Sequence, residues 1–255
     1  MRQTNTRKKN NLRSMIIVAL LLLLVAVIGF GGYTLSKYVS NKTEGGKAQV
    51  AKWGYTLEAD ATNLFGKNYK FDAGKSNSII ASAGDTDLTV SASTATDNNL
   101  VAPGTSGSMT FSVKGAAEVL AKVDIEFTVV NDIVLNYEKG GTAGTYKPVK
   151  WTLKKGATTL VNGLTLADVA TELNKAEHNL TYDPNSTAND EYTLSWAWDF
   201  GTADVTENDH LDTLLGMLAK DKDVTANGEY MVKAGTSTDI EFTLKISVTQ
   251  LAKKA

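Results

Sequence analysis

Apolar and polar positions alternate with a period of two in several runs of this chain, the pattern of strands with one dry and one wet face. Met109, Phe111 and Val113 alternate after a Pro103-Gly104 turn, and Val123, Ile125, Phe127 and Val129 alternate with Lys122, Asp124, Glu126 and Thr128. Tyr192, Leu194, Trp196, Trp198 and Phe200 line one face of a later run, and Ile240, Phe242, Leu244, Ile246 and Val248 line another near the C-terminus. An earlier run puts Ala51, Trp53, Tyr55 and Leu57 on one face. Together these runs predict the core strands of an antiparallel sandwich. Between Asp72 and Gly107 the chain is rich in Ser, Ala, Asn, Asp, Thr and Gly, broken by apolar stretches at Ile79-Ile80 and Leu88-Thr-Val90. That composition predicts surface loops with short strands.

Two stretches change period. Leu166, Val169, Ala170 and Leu173 fall at i, i+3, i+4 and i+7, as do Leu211, Leu214, Leu215 and Leu218. They predict helical insertions near 165–175 and 206–219, each with a single apolar stripe. Each insertion opens with Thr-x-x-Asp, Thr165 to Asp168 and Thr206 to Asp209. The hydroxyl of such a pair accepts from unpaired amides while the carboxylate suits the positive helix end. Helices of this kind are expected to cover the edge or end of a sheet.

The N-terminus has a different character. A basic, acid-free head (Arg2, Arg7, Lys8, Lys9, Arg13) runs into an apolar stretch beginning at Met15, which closes on Gly29, Gly31, Gly32 and then Thr34-Leu35-Ser36. The small side chains of Thr34 and Ser36 fit a signal peptidase, so cleavage is predicted between Ser36 and Lys37. An uncleaved anchor through residues 15–33 is the competing reading, because about 18 apolar residues span a bilayer. Either way the basic residues stay cytoplasmic and the bulk of the chain lies outside. The expected organisation is a signal peptide or anchor over 1–36, a flexible polar arm over 37–47, and a single β-sandwich domain over 48–255.

Charge and composition narrow the function. Loss of the five basic residues of the head leaves 21 basic against 28 acidic, a net charge of −7, which argues against a nucleic-acid partner. With no cysteine, neither disulfides nor thiolate chemistry contribute. The two histidines, His178 and His210, form no His-Glu-x-x-His motif, and no nucleophile elbow or phosphate-binding glycine loop is present. No catalytic residue, metal ligand set or cofactor is therefore assigned, and the chain is read as non-enzymatic. Asp199, Asp204, Glu207, Asp209 and Asp212 offer hard oxygens for calcium, but the same acids suit a helix N-terminus and their spacing is not that of an EF-hand. Trp196 and Trp198 share a strand face and are read as core. Asn-x-Ser/Thr sequences at Asn41, Asn179 and Asn185 are what chance provides in a chain rich in these residues.

These features resemble the TasA and camelysin-like exported proteins of Gram-positive bacteria, which are processed by the signal peptidase SipW. The resemblance rests on Gly31-Gly-Tyr-Thr-Leu-Ser36 followed by Lys37-Tyr38, on Ala102-Pro-Gly104 before Met109-Thr-Phe-Ser-Val113, and on the long run from Ala121 to Val130. It covers about half of the chain. It implies a jelly-roll-like β-sandwich with two helical insertions, secreted to the cell surface and polymerising as a homopolymer into biofilm matrix fibres. Some relatives assemble by donor-strand exchange, for which Tyr38 and Val39 would supply the apolar anchor of the arm. Contacts with other matrix or cell-surface components are compatible with the same reading. Camelysin-like members have also been classed as metallopeptidases, and no metal-ligand motif here matches that activity. A membrane-tethered extracellular binding module, with the loops between Asp72 and Gly107 as its contact surface, is the alternative.

Overall fold

The computed structural model describes residues 39–40, 49–66, 79–83, 86–94, 99–199 and 205–252. The chain divides into two compact units, Trp53–Leu251 and a smaller one containing Met1–Lys52 with Ala252–Ala255. In the smaller unit β1 (Val39–Ser40) pairs antiparallel with β2 (Gln49–Val50), Val39 opposite Val50. The predicted export segment lies outside the described residues. Among those that are described, no helix is long and apolar enough to cross a membrane.

The larger unit is mainly β. Its strands are β3 (Tyr55–Asp60), β4 (Ile79–Ala83), β5 (Asp87–Ser93), β6 (Ser106–Ala116), β7 (Ala121–Asn131), β8 (Leu135–Lys139), β9 (Thr142–Tyr146), β10 (Val149–Lys155) and β11 (Thr158–Leu164). Helix α1 (Leu166–Leu173) and a 3-10 turn (Ala176–His178) lead to β12 (Thr181–Tyr182) and β13 (Thr187–Trp198). Helix α2 (Val205–Lys220) precedes β14 (Ala226–Asn227), β15 (Tyr230–Val232) and β16 (Glu241–Gln250). One five-stranded sheet runs β11-β10-β13-β6-β3 and the other β12-β7-β16-β5-β4, all antiparallel. Successive strands cross between the sheets, β6 to β7 and β12 to β13, in the jelly-roll-like manner expected.

The alternating residues explain why the sheets close on one another. Met109, Phe111 and Val113 of β6, Val123, Ile125 and Phe127 of β7, and Phe242, Leu244, Ile246 and Val248 of β16 are all buried. Trp151 of one sheet meets Phe242 of the other edge-on, ring centroids 6.1 Å apart. Tyr192, Leu194, Trp196 and Trp198 are core, as read from the sequence, and the Trp196 indole donates to the Leu64 carbonyl at 2.7 Å. Phe200 lies outside the described residues.

The predicted stripes face the core: in α1 Leu166, Val169 and Leu173 are buried and Ala170 is half-buried, and in α2 Leu211, Leu214, Leu215 and Leu218 are buried. Thr165 caps α1 in a reciprocal capping box with Asp168. The expected cap at Thr206 is corrected, because α2 begins at Val205 and Thr206 falls inside the helix. A third sheet, β14-β15-β8-β9, has no counterpart in the sequence reading. Its β8–β9 hairpin turns on Gly140 and Gly141, whose φ of 55° and 82° are left-handed values that glycine adopts without steric penalty.

Candidate functional site

Of the residues singled out for processing and assembly, Ser36, Lys37 and Tyr38 lie outside the described residues. Val39 belongs to the two-residue ladder with β2. The assembly-relevant features that can be built from side chains upward are the margins of the two large sheets.

One margin is closed by side chains. The outer edge of β7 would expose the amides of Val123, Ile125 and Phe127, because alternate residues of an edge strand turn their main-chain groups outward. Val123 N donates to the Leu180 carbonyl at 2.8 Å, Ile125 N to the Asn179 side-chain oxygen at 3.1 Å, and Phe127 N to the Asn174 side-chain oxygen at 2.8 Å. The Asn174 amide nitrogen returns a bond to the Phe127 carbonyl, also 2.8 Å. The segment from the end of α1 to β12 therefore acts as a substitute strand, with two asparagines standing in for peptide groups. The Asn179 side chain is committed to this role.

The β3 margin, in the other sheet, is different. Ser108 N donates to the Asn63 carbonyl and Ala116 N to the Gly54 carbonyl, so the even-numbered residues of β6 face β3. With Thr56 opposite Lys114 and Glu58 opposite Ser112, the even residues of β3 are the ones bonded to β6. The N–H and C=O groups of Tyr55, Leu57 and Ala59 then point away from the sheet. Among the described residues β3 pairs with β6 alone. The β11 margin also has one ladder partner, but register shifts at Trp151 to Lys154 bulge it, a feature that discourages strand addition.

Two clusters of titratable groups remain. Asp212 on α2 accepts from the Tyr146 hydroxyl at 2.7 Å and the Trp198 indole at 3.2 Å, both on Oδ1. Burial pushes the Asp212 carboxyl above its ordinary range and the Tyr146 hydroxyl above its own. Glu207 instead faces Lys139, 3.8 Å from its ammonium. Among the described residues the acids considered for calcium do not bring three ligand atoms together: Asp212 pins α2 to the sandwich with Asp209 acting on it electrostatically, Glu207 pairs with a lysine, and Asp204 lies outside the described residues.

The second cluster surrounds His178, which is buried. Its Nδ1 lies 3.2 Å from the Tyr192 hydroxyl, and its Nε2 lies 3.3 Å from Glu172 Oε1 and 3.9 Å from Glu177 Oε1. Lys175 pairs with Glu172 and lies 3.9 Å from Glu177. The Lys175 ammonium holds the Glu172 carboxyl below its ordinary range. Among the described residues this is the group in which three potential metal-ligand atoms lie within 4.8 Å of one another. The sequence reading passed over it because Glu172, Glu177 and His178 straddle a helix end and a 3-10 turn. No single-element motif has that spacing.

No family model matches the chain, and neither the curated proteins nor the solved structures searched give a match. The class that the fold defines is an antiparallel β-sandwich with two helical insertions and an additional small sheet.

Proposed function

We propose that this chain is an exported structural subunit of the cell surface or biofilm matrix, similar to the TasA and camelysin-like proteins, which self-assembles into fibres. The observation that carries the reading is the contrast between margins, β7 capped by asparagines and β3 presenting the outward groups of Tyr55, Leu57 and Ala59. A strand added there gains main-chain hydrogen bonds, and alternate side chains set its register. Residues 37–47 of a neighbouring copy are the donor. Their three lysines, Lys37, Lys42 and Lys47, complement Glu58 and Asp60, which are exposed along β3. Donation requires opening the ladder between β1 and β2, and a pairing of two residues is only marginally stable.

Negative-stain electron microscopy of Lys37–Ala255 at rising concentration, with and without calcium, tests the reading. Filaments that vanish on deletion of 37–47 support it, provided the far-ultraviolet spectrum of the deleted form is unchanged. Monodisperse particles under all conditions overturn it in favour of a membrane-tethered binding module. The length of the apolar run from Met15 favours that second reading, and the intact mass of the cell-derived protein separates the two.

A further inference from the structure

We propose that Glu172, Glu177 and His178 form a binding site for a divalent transition-metal ion of the zinc class, and that the ion staples the segment covering the β7 edge. A tetrahedral ion with ligands at about 2.1 Å places its ligand atoms about 3.4 Å apart. The Nε2 of His178 stands 3.3 Å from one carboxylate oxygen and 3.9 Å from the other, so small side-chain rotations complete three corners of such a site. A fourth corner is left for water.

The imidazole is prepared for this role. It is buried between the end of α1 and β13, and Tyr192, itself buried in the core, holds Nδ1. A ligand histidine characteristically has its second nitrogen held in this way, which sets the ring orientation and leaves the lone pair of Nε2 for the metal. A histidine that served only to tie α1 to β13 would need one acceptor at Nε2. Here two carboxylates from different turns face it, and a lysine ammonium sits between them.

Lys175 occupies the position of a cation and competes with the metal. Its side chain is 48% exposed, so it can swing into solvent when an ion enters. The mixed nitrogen and oxygen donor set selects the ion: calcium and magnesium take oxygen ligands in higher number, whereas imidazole with carboxylate suits zinc.

The location gives the site its consequence. Glu172 and His178 flank Asn174, and Asn179 follows His178 directly; the two asparagine side chains cap Phe127 and Ile125. An ion joining the end of α1 to the 3-10 turn closes the loop that carries Asn174 and fixes the turn that Asn179 directly follows. It would hold the β7 margin shut.

The test uses the full chain, metal-stripped in detergent micelles, titrated with zinc chloride by calorimetry and followed by nitrogen-15 spectra of its two histidines. One zinc per chain is expected, with the His178 Nε2 resonance shifting and His210 unaffected. His178→Gln should weaken binding at least tenfold and His210→Gln should leave it unchanged. Tyr192→Phe, which removes the positioning hydroxyl, should weaken it about 10- to 100-fold. Lys175→Ala should tighten it, an effect that a purely structural ion pair would not produce. Zinc should also slow amide exchange at Ile125 and Phe127. The proposal is overturned if zinc leaves the wild-type His178 resonances in place, or if Lys175→Ala fails to tighten binding. Because the wild-type spectra carry the first criterion, instability of any variant leaves the test decisive.

Discussion

Replacing Asn174 by alanine isolates the capped edge. The side chain makes two hydrogen bonds of 2.8 Å, one from the Phe127 amide and one to the Phe127 carbonyl, and alanine removes both. A net value of about 1 kcal/mol per bond sets the scale, and because Asn174 is exposed, water reaches the freed peptide group and limits the loss. Asn174→Ala should therefore destabilise the sandwich by about 1–2 kcal/mol, read as a shift in urea midpoint without a change in slope. The local signature is sharper. Exchange of the Phe127 amide should accelerate roughly tenfold, the equivalent of about 1.4 kcal/mol, while the Glu126 amide, which faces β16, keeps its protection. Asn174→Asp adds a control: the carboxylate still accepts from the amide but repels the Phe127 carbonyl, so the loss should persist at neutral pH and shrink as the acid protonates. Unchanged Phe127 exchange in Asn174→Ala would refute the view that these side chains substitute for a strand.

Three further outcomes follow from the same geometry. Asp212 has its pKa raised above 3.8 by burial, so the folded protein holds that proton more tightly than the unfolded chain, and stability falls as pH rises above the ordinary value. Asp212→Asn keeps the oxygen that accepts from Tyr146 and Trp198, and should be more stable than the parent at pH 7 but not at pH 3.5 in urea titrations; equal pH dependence would sink this assignment. Gly107→Ala should cost about 3 kcal/mol or prevent folding, since a Cβ there collides with the Leu64 carbonyl and lies 2.8 Å from the Trp196 indole nitrogen and 2.9 Å from the Asn63 carbonyl; a thermal midpoint within 2 °C of the parent would contradict it. Ala59→Pro removes an outward amide from β3 without breaking a β6 bond, so it should abolish filaments in electron micrographs while leaving the fold intact. Normal filaments from that variant would exclude β3 as the acceptor.

The elements legible in the sequence are those whose signal is local. Period-two alternation located β6, β7, β13 and β16, and period 3.6 with a Thr-x-x-Asp start located α1 and its capping box. The four-stranded sheet escaped because its strands are short and β9 is largely exposed, leaving little apolar pattern to read. Asp212 read as a candidate calcium ligand because only tertiary packing brings Tyr146 and Trp198 onto its oxygen. The sequence by itself determined the class of fold and the faces of its strands, since alternation is a property of neighbouring residues and burial selects one face. Only the tertiary structure decided which margins are closed. Asn174 and Asn179 meet Phe127 and Ile125 across roughly fifty residues of chain, and no periodicity connects groups joined by hydrogen bonds at that separation.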